Sequence, residues 1–368
     1  QVVGETGRAG FIGATGIATD DSTKAYFAEV AQSGRLAGMK GFWEIRRIFL
    51  GTDSREPFCL LTIGLAPVAE FAFHAKVVGD LSDSRRKFTL TADEFRLINP
   101  NTLTCPVFRS ERDAELTKKL YRAAPVLIAD GPPERNPWGI RFMTMFHMAN
   151  DSGLFHDTTA PGCLPLYEAK MIHQFDHRWA TYGADGSSGD VAVDAKNDPN
   201  FTVTPRYWID ATEVEARLTA KGWTRGWLMG WRDICRSTDA RTVIASVVPR
   251  VGLGHKMPLM FCAAASSVFH VAALYSNLNA LTLDYVARQK IGGTSLTYFY
   301  LKQFPILPPD CYSESDLAFI VPRVLELTYT AHDLAPWAAD LGHAGPPFAW
   351  DEDRRALLAD WRALPLLP

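Results

Sequence analysis

A proline-rich break after residue 130 is the feature that most constrains how this chain of 368 residues folds. Gly131-Pro132-Pro133 and Asn136-Pro137 combine residues that end helices and strands, so they predict a domain boundary. Upstream of the break, apolar patterns of strand length alternate with patterns of helix length. Downstream, aromatic residues cluster and tryptophan becomes frequent. The sequence therefore predicts two parts of different construction.

The first part has the alternation that is typical of an α/β domain. Apolar periodicity predicts helices over residues 24–32 and 111–122, and strands over residues 36–43 and 58–63. The run at 58–63 is almost continuously apolar, as in a strand that is covered on both faces. Alternating strands and helices predict an open sheet with helices on its faces. We therefore expect α/β architecture for residues 1–130.

The second part mixes strands with short helices, which predicts an α+β domain over residues 136–309. Residues 183–200 are rich in Asp, Ser, Gly and Asn and predict a mobile surface loop. A helical pattern covers residues 263–288. Residues 310–368 predict acidic helices, interrupted at 342–347. The expected fold class is α/β followed by α+β, with a helical acidic tail.

Composition excludes several classes of protein. No stretch approaches the ~20 apolar residues of a membrane helix, and residues 1–10 lack the basic start and apolar core of a signal peptide. The cysteines are scattered without a C-x-x-C pair, which argues against a zinc ribbon or a dense disulfide framework. These features predict a cytoplasmic protein with reduced thiols and no membrane partner.

The charge is mildly acidic overall and unevenly distributed. The net charge is -3, but residues 206–256 contain nine Lys or Arg against five Asp or Glu, whereas residues 310–368 contain four against ten. A locally basic surface on an acidic chain is compatible with binding to nucleic acid.

Common catalytic signatures are missing. The sequence has no G-x-x-x-x-G-K-[ST] phosphate loop and no G-x-S-x-G nucleophile elbow. Gly252-Leu253-Gly254 begins like a dinucleotide fingerprint but lacks its third glycine. Four carboxylates could serve acid–base chemistry, although helix capping and solvation also explain them: Asp20, Asp21, Glu44 and Asp53. We therefore predict no catalytic residue.

Two histidines stand four residues apart, at His173 and His177. On a helix they would share a face and could bind a metal. Gln174 replaces the glutamate of a metalloprotease helix, and the neighbouring residues suit a strand or a loop equally well. We predict no metal site here, and expect these side chains to pack, to form hydrogen bonds or to contact phosphate.

Six stretches, which follow one another in a consistent order along the chain, carry a resemblance to a known family. They are residues 15–24, 53–55 with 58–62, 98–102 with 106–110, 166–178, 232–234 with 238–245, and 292–294 through 303–309. Together they resemble the type IIG restriction-modification family and related adenine-N6-specific DNA methyltransferases. The last three resemble the start, middle and end of the target recognition domain of these enzymes.

The resemblance implies an incomplete, Rossmann-like methyltransferase sheet over residues 1–130, a DNA target recognition domain over 136–309, and a helical tail over 310–368. The implied partner is double-stranded DNA. Two alternatives remain open: a small-molecule enzyme with an unrecognised pocket in the first part, and a non-catalytic interaction module from a truncated gene.

The chemistry of the family has no counterpart in this sequence. The family binds S-adenosylmethionine with a Gly-rich turn, and an Asn-Pro-Pro-aromatic motif holds the flipped adenine. Gly345-Pro346-Pro347-Phe348 has glycine where the amide is needed. We therefore expect no cofactor bound by this chain, no activity of the chain alone, and a methyltransferase half preceding Gln1 in a parent that uses S-adenosylmethionine.

Two basic groups are the candidates for DNA contact. Residues 170–178 carry basic and imidazole side chains at a density that suits phosphate contacts: Lys170, His173, His177 and Arg178. The second group follows downstream: Arg232, Arg236, Arg241, Arg250, His255 and Lys256. An arginine fork can hold guanine through two acceptors, and Arg241 and Arg250 are the best candidates for that role. Ordinary ion pairing is the alternative for each.

Overall fold

The computed structural model describes residue 4 and residues 6–44, 49, 57–263, 266–291 and 293–361. Asp53, the resembling segment 53–55, Gly292 and the end of the chain at 362–368 lie outside the described residues. The chain divides into two compact units. Unit 1 comprises residues 1–135, 289–292 and 299–305, and unit 2 comprises residues 136–288, 293–298 and 306–368.

Unit 1 combines a five-stranded sheet with helices. Its strands are β1 (Arg8–Ala14), β2 (Leu36–Phe42), β3 (Phe58–Gly64), β4 (Ala69–Ala75) and β5 (Phe88–Leu90). Its helices are α1 (Gly16–Thr19), α2 (Lys24–Gln32), α3 (Ala92–Ile98) and α4 (Glu111–Ala123). The predicted helices and strands of this part are confirmed to within a residue or two.

The pairing of these strands differs from the expected open α/β sheet. The strand order is β1-β3-β2-β4-β5. β2 pairs with β4 in parallel, whereas the other three described pairings are antiparallel. A Rossmann-like sheet is built from parallel strands, so the described strands do not confirm that part of the expectation. The protein is a mixed α/β structure with several small sheets.

Aromatic side chains form the core of unit 1. Phe71 lies on β4, with its ring 5.4 Å from that of Phe88 and 5.9 Å from that of Phe95 on α3. Phe27 on α2 contacts Phe95, with ring centroids 5.8 Å apart. All four side chains are at least 97% buried. Burial of rings of this size is the main force that holds the helices against the sheet.

Two short segments from later in the chain complete unit 1. The backbone N–H of Leu127 donates to Phe304, and that of Ile128 donates to Lys302. The hydroxyl of Tyr121 donates to the carbonyl oxygen of Gln303 at 2.6 Å. Residues 302–305, which follow the helix Tyr298–Leu301, therefore lie beside residues 126–128, with one isolated β-bridge between Val126 and Pro305.

Unit 2 contains more and shorter strands. They are β6 (Arg141–Met143), β7 (Phe155–His156), β8 (Cys163–Tyr167), β9 (Ala180–Tyr182), β10 (Ser188–Asp190), β11 (Tyr207–Asp210), β12 (Trp227–Trp231), β13 (Ala245–Pro249), β14 (Gly252–Leu253) and β15 (Leu259–Phe261). Its helices are α5 (Val193–Asn197), α6 (Ala211–Ala220), α7 (Val268–Leu278), α10 (Glu314–Thr328), α11 (Ala335–Asp340) and α12 (Glu352–Trp361). Two helices contain residues of both units: α8 (Leu281–Lys290) and α9 (Tyr298–Leu301).

The strands of unit 2 form two four-stranded sheets, β14-β8-β11-β7 and β13-β12-β15-β6, and a β9–β10 hairpin. Gly252, from the incomplete dinucleotide fingerprint, belongs to β14. A Cβ atom at this position would lie 2.7 Å from Ile209. Glycine at position 252 therefore lets β14 approach the side chain of Ile209 on β11.

Two predictions for unit 2 were wrong in detail. The predicted loop at 183–200 contains β10, which is exposed and pairs with β9, and helix α5. The predicted helical run at 263–288 is two helices separated at Asn279, whose amide donates to Ala245 and Tyr275. In the described part of the chain, no helix has both the length and the apolar character needed to cross a membrane.

Candidate nucleic-acid interface

Arg178 lies inside unit 2 and has no exposed surface. Its guanidinium donates to four backbone carbonyl oxygens at 2.8–3.1 Å, those of Lys196, Asp198, Phe201 and Thr330. Because buried carbonyl groups need donors, this one side chain satisfies the irregular backbone at 196–201. The role expected for Arg178, a phosphate contact, is therefore replaced by a structural one.

His177 is also used within the protein. It is 1% exposed, and its Nε2 lies 2.8 Å from a carboxylate oxygen of Asp333. Burial raises the pKa of Asp333, but the charge and the hydrogen bond of His177, together with the charge of Arg178, lower it below its usual value. The residue preceding His177, Asp176, forms a buried ion pair with Lys196 at 2.7 Å. Neither His177 nor Arg178 is placed to meet DNA.

Arg250 forms a separate set of hydrogen bonds within the protein. Its Nε and Nη2 donate to the two carboxylate oxygens of Glu215 at 2.7 and 2.6 Å, and its Nη1 donates to the carbonyl oxygens of Trp223 and Arg225. All three guanidinium nitrogens are thus occupied. The alternative of an ordinary ion pair applies to Arg250, so we remove it from the candidates for base contact.

His255 and Lys256 form a separate group. The His255 ring stacks on that of His147 at 5.4 Å, and Lys256 forms a 2.7 Å ion pair with Asp233. Burial, then the charges of Lys256 and His147, lower the pKa of His255. A lowered pKa leaves His255 uncharged at neutral pH, and Asp233 neutralises Lys256. This group is a weaker candidate for phosphate binding.

The segment around Lys170 is held by Arg232. The guanidinium of Arg232 donates to the carbonyl oxygens of Ala169 and Ile172. This fixes a short 3₁₀ turn from which Lys170 projects, 47% exposed, with its ammonium 4.5 Å from the centre of the Tyr182 ring. His173 follows, with its ring 4.4 Å from that of Trp179.

A second segment, residues 236–241, is held from helix α8. Asp284 accepts hydrogen bonds from the backbone N–H groups of Thr242 and Val243 at 2.7 and 2.8 Å and pairs with Arg288. Arg288 in turn donates to three carbonyl oxygens of the segment, those of Ser237, Asp239 and Ala240. The sequence did not predict these hydrogen bonds of Asp284 and Arg288. A spacing of four residues indicates only an ordinary ion pair on one face of a helix.

Five of the predicted residues belong to the two segments just described or hold them in place, and we call this set the basic surface: Lys170, His173, Arg232, Arg236 and Arg241. The charges of Arg232 and Arg241 both act on His173, which places these three groups together. Among the described residues, Arg232, Arg236 and Arg241 form no ion pair with a carboxylate, whereas Arg217, Arg225, Arg250 and Arg288 all do. The charges of Asp239 and Asp190 favour the charged form of Arg232, but neither carboxylate is close enough to form an ion pair with it.

Arg241 has hydrogen-bonding capacity to spare. Its Nη1 is buried and, in the described part of the chain, donates no hydrogen bond. A buried donor without an acceptor costs about 1–3 kcal/mol. This guanidinium is therefore poised to gain from a further acceptor.

His173 supplies a pH-dependent prediction. Burial, followed by the charge of Arg232, lowers its pKa to about 4; Lys196 and Arg241 act in the same direction and Asp176 against it. The folded state thus favours neutral His173, and this stabilisation is complete above about pH 6.5 and lost as pH falls toward 4. When the pH falls from 6.5 to 4, the free energy of unfolding of the wild type should therefore decrease by roughly 2–3 kcal/mol more than that of His173→Gln.

Urea unfolding at several pH values measures this difference. His147→Gln, which removes an exposed imidazole, is the control. Parallel pH profiles for wild type and His173→Gln would contradict the prediction.

Comparison with known proteins gives a limited result. No protein-family model matches the sequence, and no curated protein matches it. Solved structures that resemble the chain include the type IIG restriction endonuclease BpuSI, with a TM-score of 0.33 and 11% identity over 98% of this chain and 47% of that one. Another is the type IIL restriction-modification enzyme MmeI in complex with DNA, with a TM-score of 0.32 and 9% identity over 98% of this chain and 46% of that one. The chain spans about half the length of these structures, and TM-scores this low do not establish a shared fold.

Proposed function

We propose that unit 2 recognises double-stranded DNA, and that the chain is the recognition portion of a site-specific adenine-N6 DNA methyltransferase of a restriction-modification system. The observation that carries the DNA role is the basic surface. Among the described residues, Arg232, Arg236 and Arg241 form no ion pair with a carboxylate, and the charges of Arg232 and Arg241 both act on His173, in a chain of net charge -3. Phosphate groups are the acceptors that such a surface attracts.

The five residues differ in what they offer. Lys170 and Arg236 are exposed, so they suit contact with phosphate. Arg241 is half-buried and forms no ion pair among the described residues, so we assign its side chain a contact with a base edge. Arg232 holds the segment at 169–172 and adds charge. His173 is neutral at pH 7 and can serve as a hydrogen-bonding group.

The methyltransferase assignment depends on the resemblance in the sequence. It includes the proposal that this chain alone binds no S-adenosylmethionine, because the glycine-rich turn and the Asn-Pro-Pro-aromatic motif are missing. A stoichiometric site for S-adenosylmethionine in a calorimetric titration would contradict that part.

Binding of fluorescent random-sequence duplex DNA across a salt series tests the DNA role. The logarithm of the binding constant should fall linearly with the logarithm of salt concentration, by about 0.9 for each phosphate neutralised. Arg236→Ala should weaken binding to all sequences and reduce the slope by about 1. Arg241→Ala should weaken binding too, and selection from a random library will show whether it also relaxes the preferred sequence.

Arg354→Ala is the matched control, because it also removes one positive charge but lies on α12, outside the basic surface. It should leave affinity and slope close to those of the wild type. If Arg236→Ala and Arg241→Ala bind as the control does, the basic surface is not the DNA interface.

A further inference from the structure

Three metal-ligating side chains meet at one end of the β14-β8-β11-β7 sheet, and the proposed DNA role uses none of them. His156 ends β7, Cys163 begins β8 and Asp210 ends β11. β11 lies between the other two strands, and its register sets Asp210 opposite Cys163 and Trp208 opposite His156. One donor of each kind, an imidazole nitrogen, a thiol sulfur and a carboxylate oxygen, is thereby brought together.

The spacing of these atoms fits a tetrahedral metal site. Nε2 of His156 lies 3.3 Å from Oδ1 of Asp210, and Sγ of Cys163 lies 3.5 Å from the same oxygen. All three ligand atoms lie within 4.8 Å of one another. Ligands at ordinary zinc distances in a tetrahedron are about 3.4 Å apart for nitrogen and oxygen and about 3.6 Å for sulfur and oxygen. The observed pairs match these values.

The local backbone explains why Asp210 is available. It occupies the N-cap position of α6, where a carboxylate usually accepts a hydrogen bond from the first turn, but it makes no such bond. The N–H of Ala211 donates instead to the carbonyl oxygen of Gly162. Gly162 has a φ of 87°, which favours glycine, and this turn delivers Cys163 to its position. The carboxylate of Asp210 therefore faces Cys163 and His156.

Solvent can reach this group. The side chains of His156 and Asp210 are 44% and 57% exposed, and Cys163 is half-buried. A metal ion could therefore enter without movement of the core, and water could supply a fourth ligand.

We propose that His156, Cys163 and Asp210 bind one Zn²⁺ ion. A set of nitrogen, sulfur and oxygen ligands suits this ion of borderline softness. On binding, the Cys163 thiol gives up its proton to solvent and the resulting thiolate donates an electron pair to the metal. The ion links β7 and β8 to the start of α6, so that it stabilises the sheet.

Titration of the untagged full chain with Zn²⁺ and with Co²⁺ tests this site. We expect one ion per chain with a dissociation constant in the micromolar range or tighter, and a melting temperature that rises with Zn²⁺. Tetrahedral Co²⁺ should show visible d–d absorption together with a near-ultraviolet thiolate-to-metal band. Cys163→Ser should abolish the thiolate band and weaken binding by at least the roughly 10–100-fold that loss of a supporting hydrogen bond costs.

Cys311→Ser is the matched control, since it removes an exposed thiol elsewhere and should bind as the wild type does. His156→Ala, at an exposed position, gives a second variant in case Cys163→Ser folds poorly, and it should lose affinity to a similar degree. Circular dichroism reports folding of each variant. No saturable binding below millimolar Zn²⁺, or wild-type binding by folded His156→Ala and Cys163→Ser, would overturn the proposal.

Discussion

Replacement of Arg178 by alanine should lower the free energy of unfolding by roughly 3–5 kcal/mol, the range observed when one partner of a buried charged network is removed. Four backbone carbonyl oxygens, two of them in fully buried hydrogen bonds, would lose their donor, and each unsatisfied buried group carries its own cost. Asp176 and Asp333 would also lose a neighbouring positive charge. Chemical denaturation followed by tryptophan fluorescence measures the change.

Arg354→Ala is again the control, because its exposed ion pair with Glu326 should contribute less than about 1 kcal/mol. Arg178→Lys should also destabilise strongly, since a lysine cannot reproduce the fork that spans residues 196–201 and 330. If the free energy of unfolding of Arg178→Ala lies within about 1 kcal/mol of that of the wild type, the hydrogen bonds of Arg178 do not stabilise residues 196–201 as described.

Replacement of Asp284 by alanine should cost about 3 kcal/mol or more, because it leaves two buried N–H groups without an acceptor and Arg288 without its carboxylate. It should also weaken DNA binding at least as much as Arg241→Ala does. The reason is that Asp284 and Arg288 together fix the segment that carries Arg236 and Arg241. Unfolding curves and the salt series, carried out on the same protein, measure both effects.

Asp284→Asn is the matched variant. Its side-chain oxygen can still accept from Thr242 and Val243, so it should retain most of the DNA affinity while losing the pairing with Arg288. A folded Asp284→Ala that keeps full affinity for DNA would show that DNA binding does not depend on the hydrogen bonds that hold residues 236–241. This result would count against a place for residues 236–241 in the interface.

Local patterns in the sequence were sufficient for two helices and two strands of the first part, although β4, β5 and α3 were not predicted. The helix Lys24–Gln32 has its apolar spacing and its Ser-Gly stop within eleven residues, so that no distant information is needed. Strand partners are different, because they depend on residues far away in the chain. Nothing within residues 58–63 specifies that β3 pairs antiparallel with both of its neighbours.

The candidate site shows the same division between local and distant information. Lys170 and Arg178 belong to one basic run, yet Lys170 is exposed and Arg178 is buried. The difference arises from residues 196–201 and 330, whose carbonyl groups surround Arg178, and no pattern near residue 178 reports them. The zinc ligands are harder still to find, since Asp210 lies 47 residues beyond Cys163 and meets it only through strand register.

The two short segments that complete unit 1 bear on how parts of this chain could be exchanged by recombination. Residues 302–305 lie beside 126–128, although residues 136–288 separate them in the chain and belong to unit 2. A gene exchange with a single crossover near residue 135 would replace the partner of 126–128 along with everything after it. An exchange bounded at both ends, near 136 and 288, would leave unit 1 with its own segments but would divide unit 2, which also contains residues 293–298 and 306–368. Because each unit is assembled from separate stretches of the chain, no single pair of crossovers exchanges either unit whole.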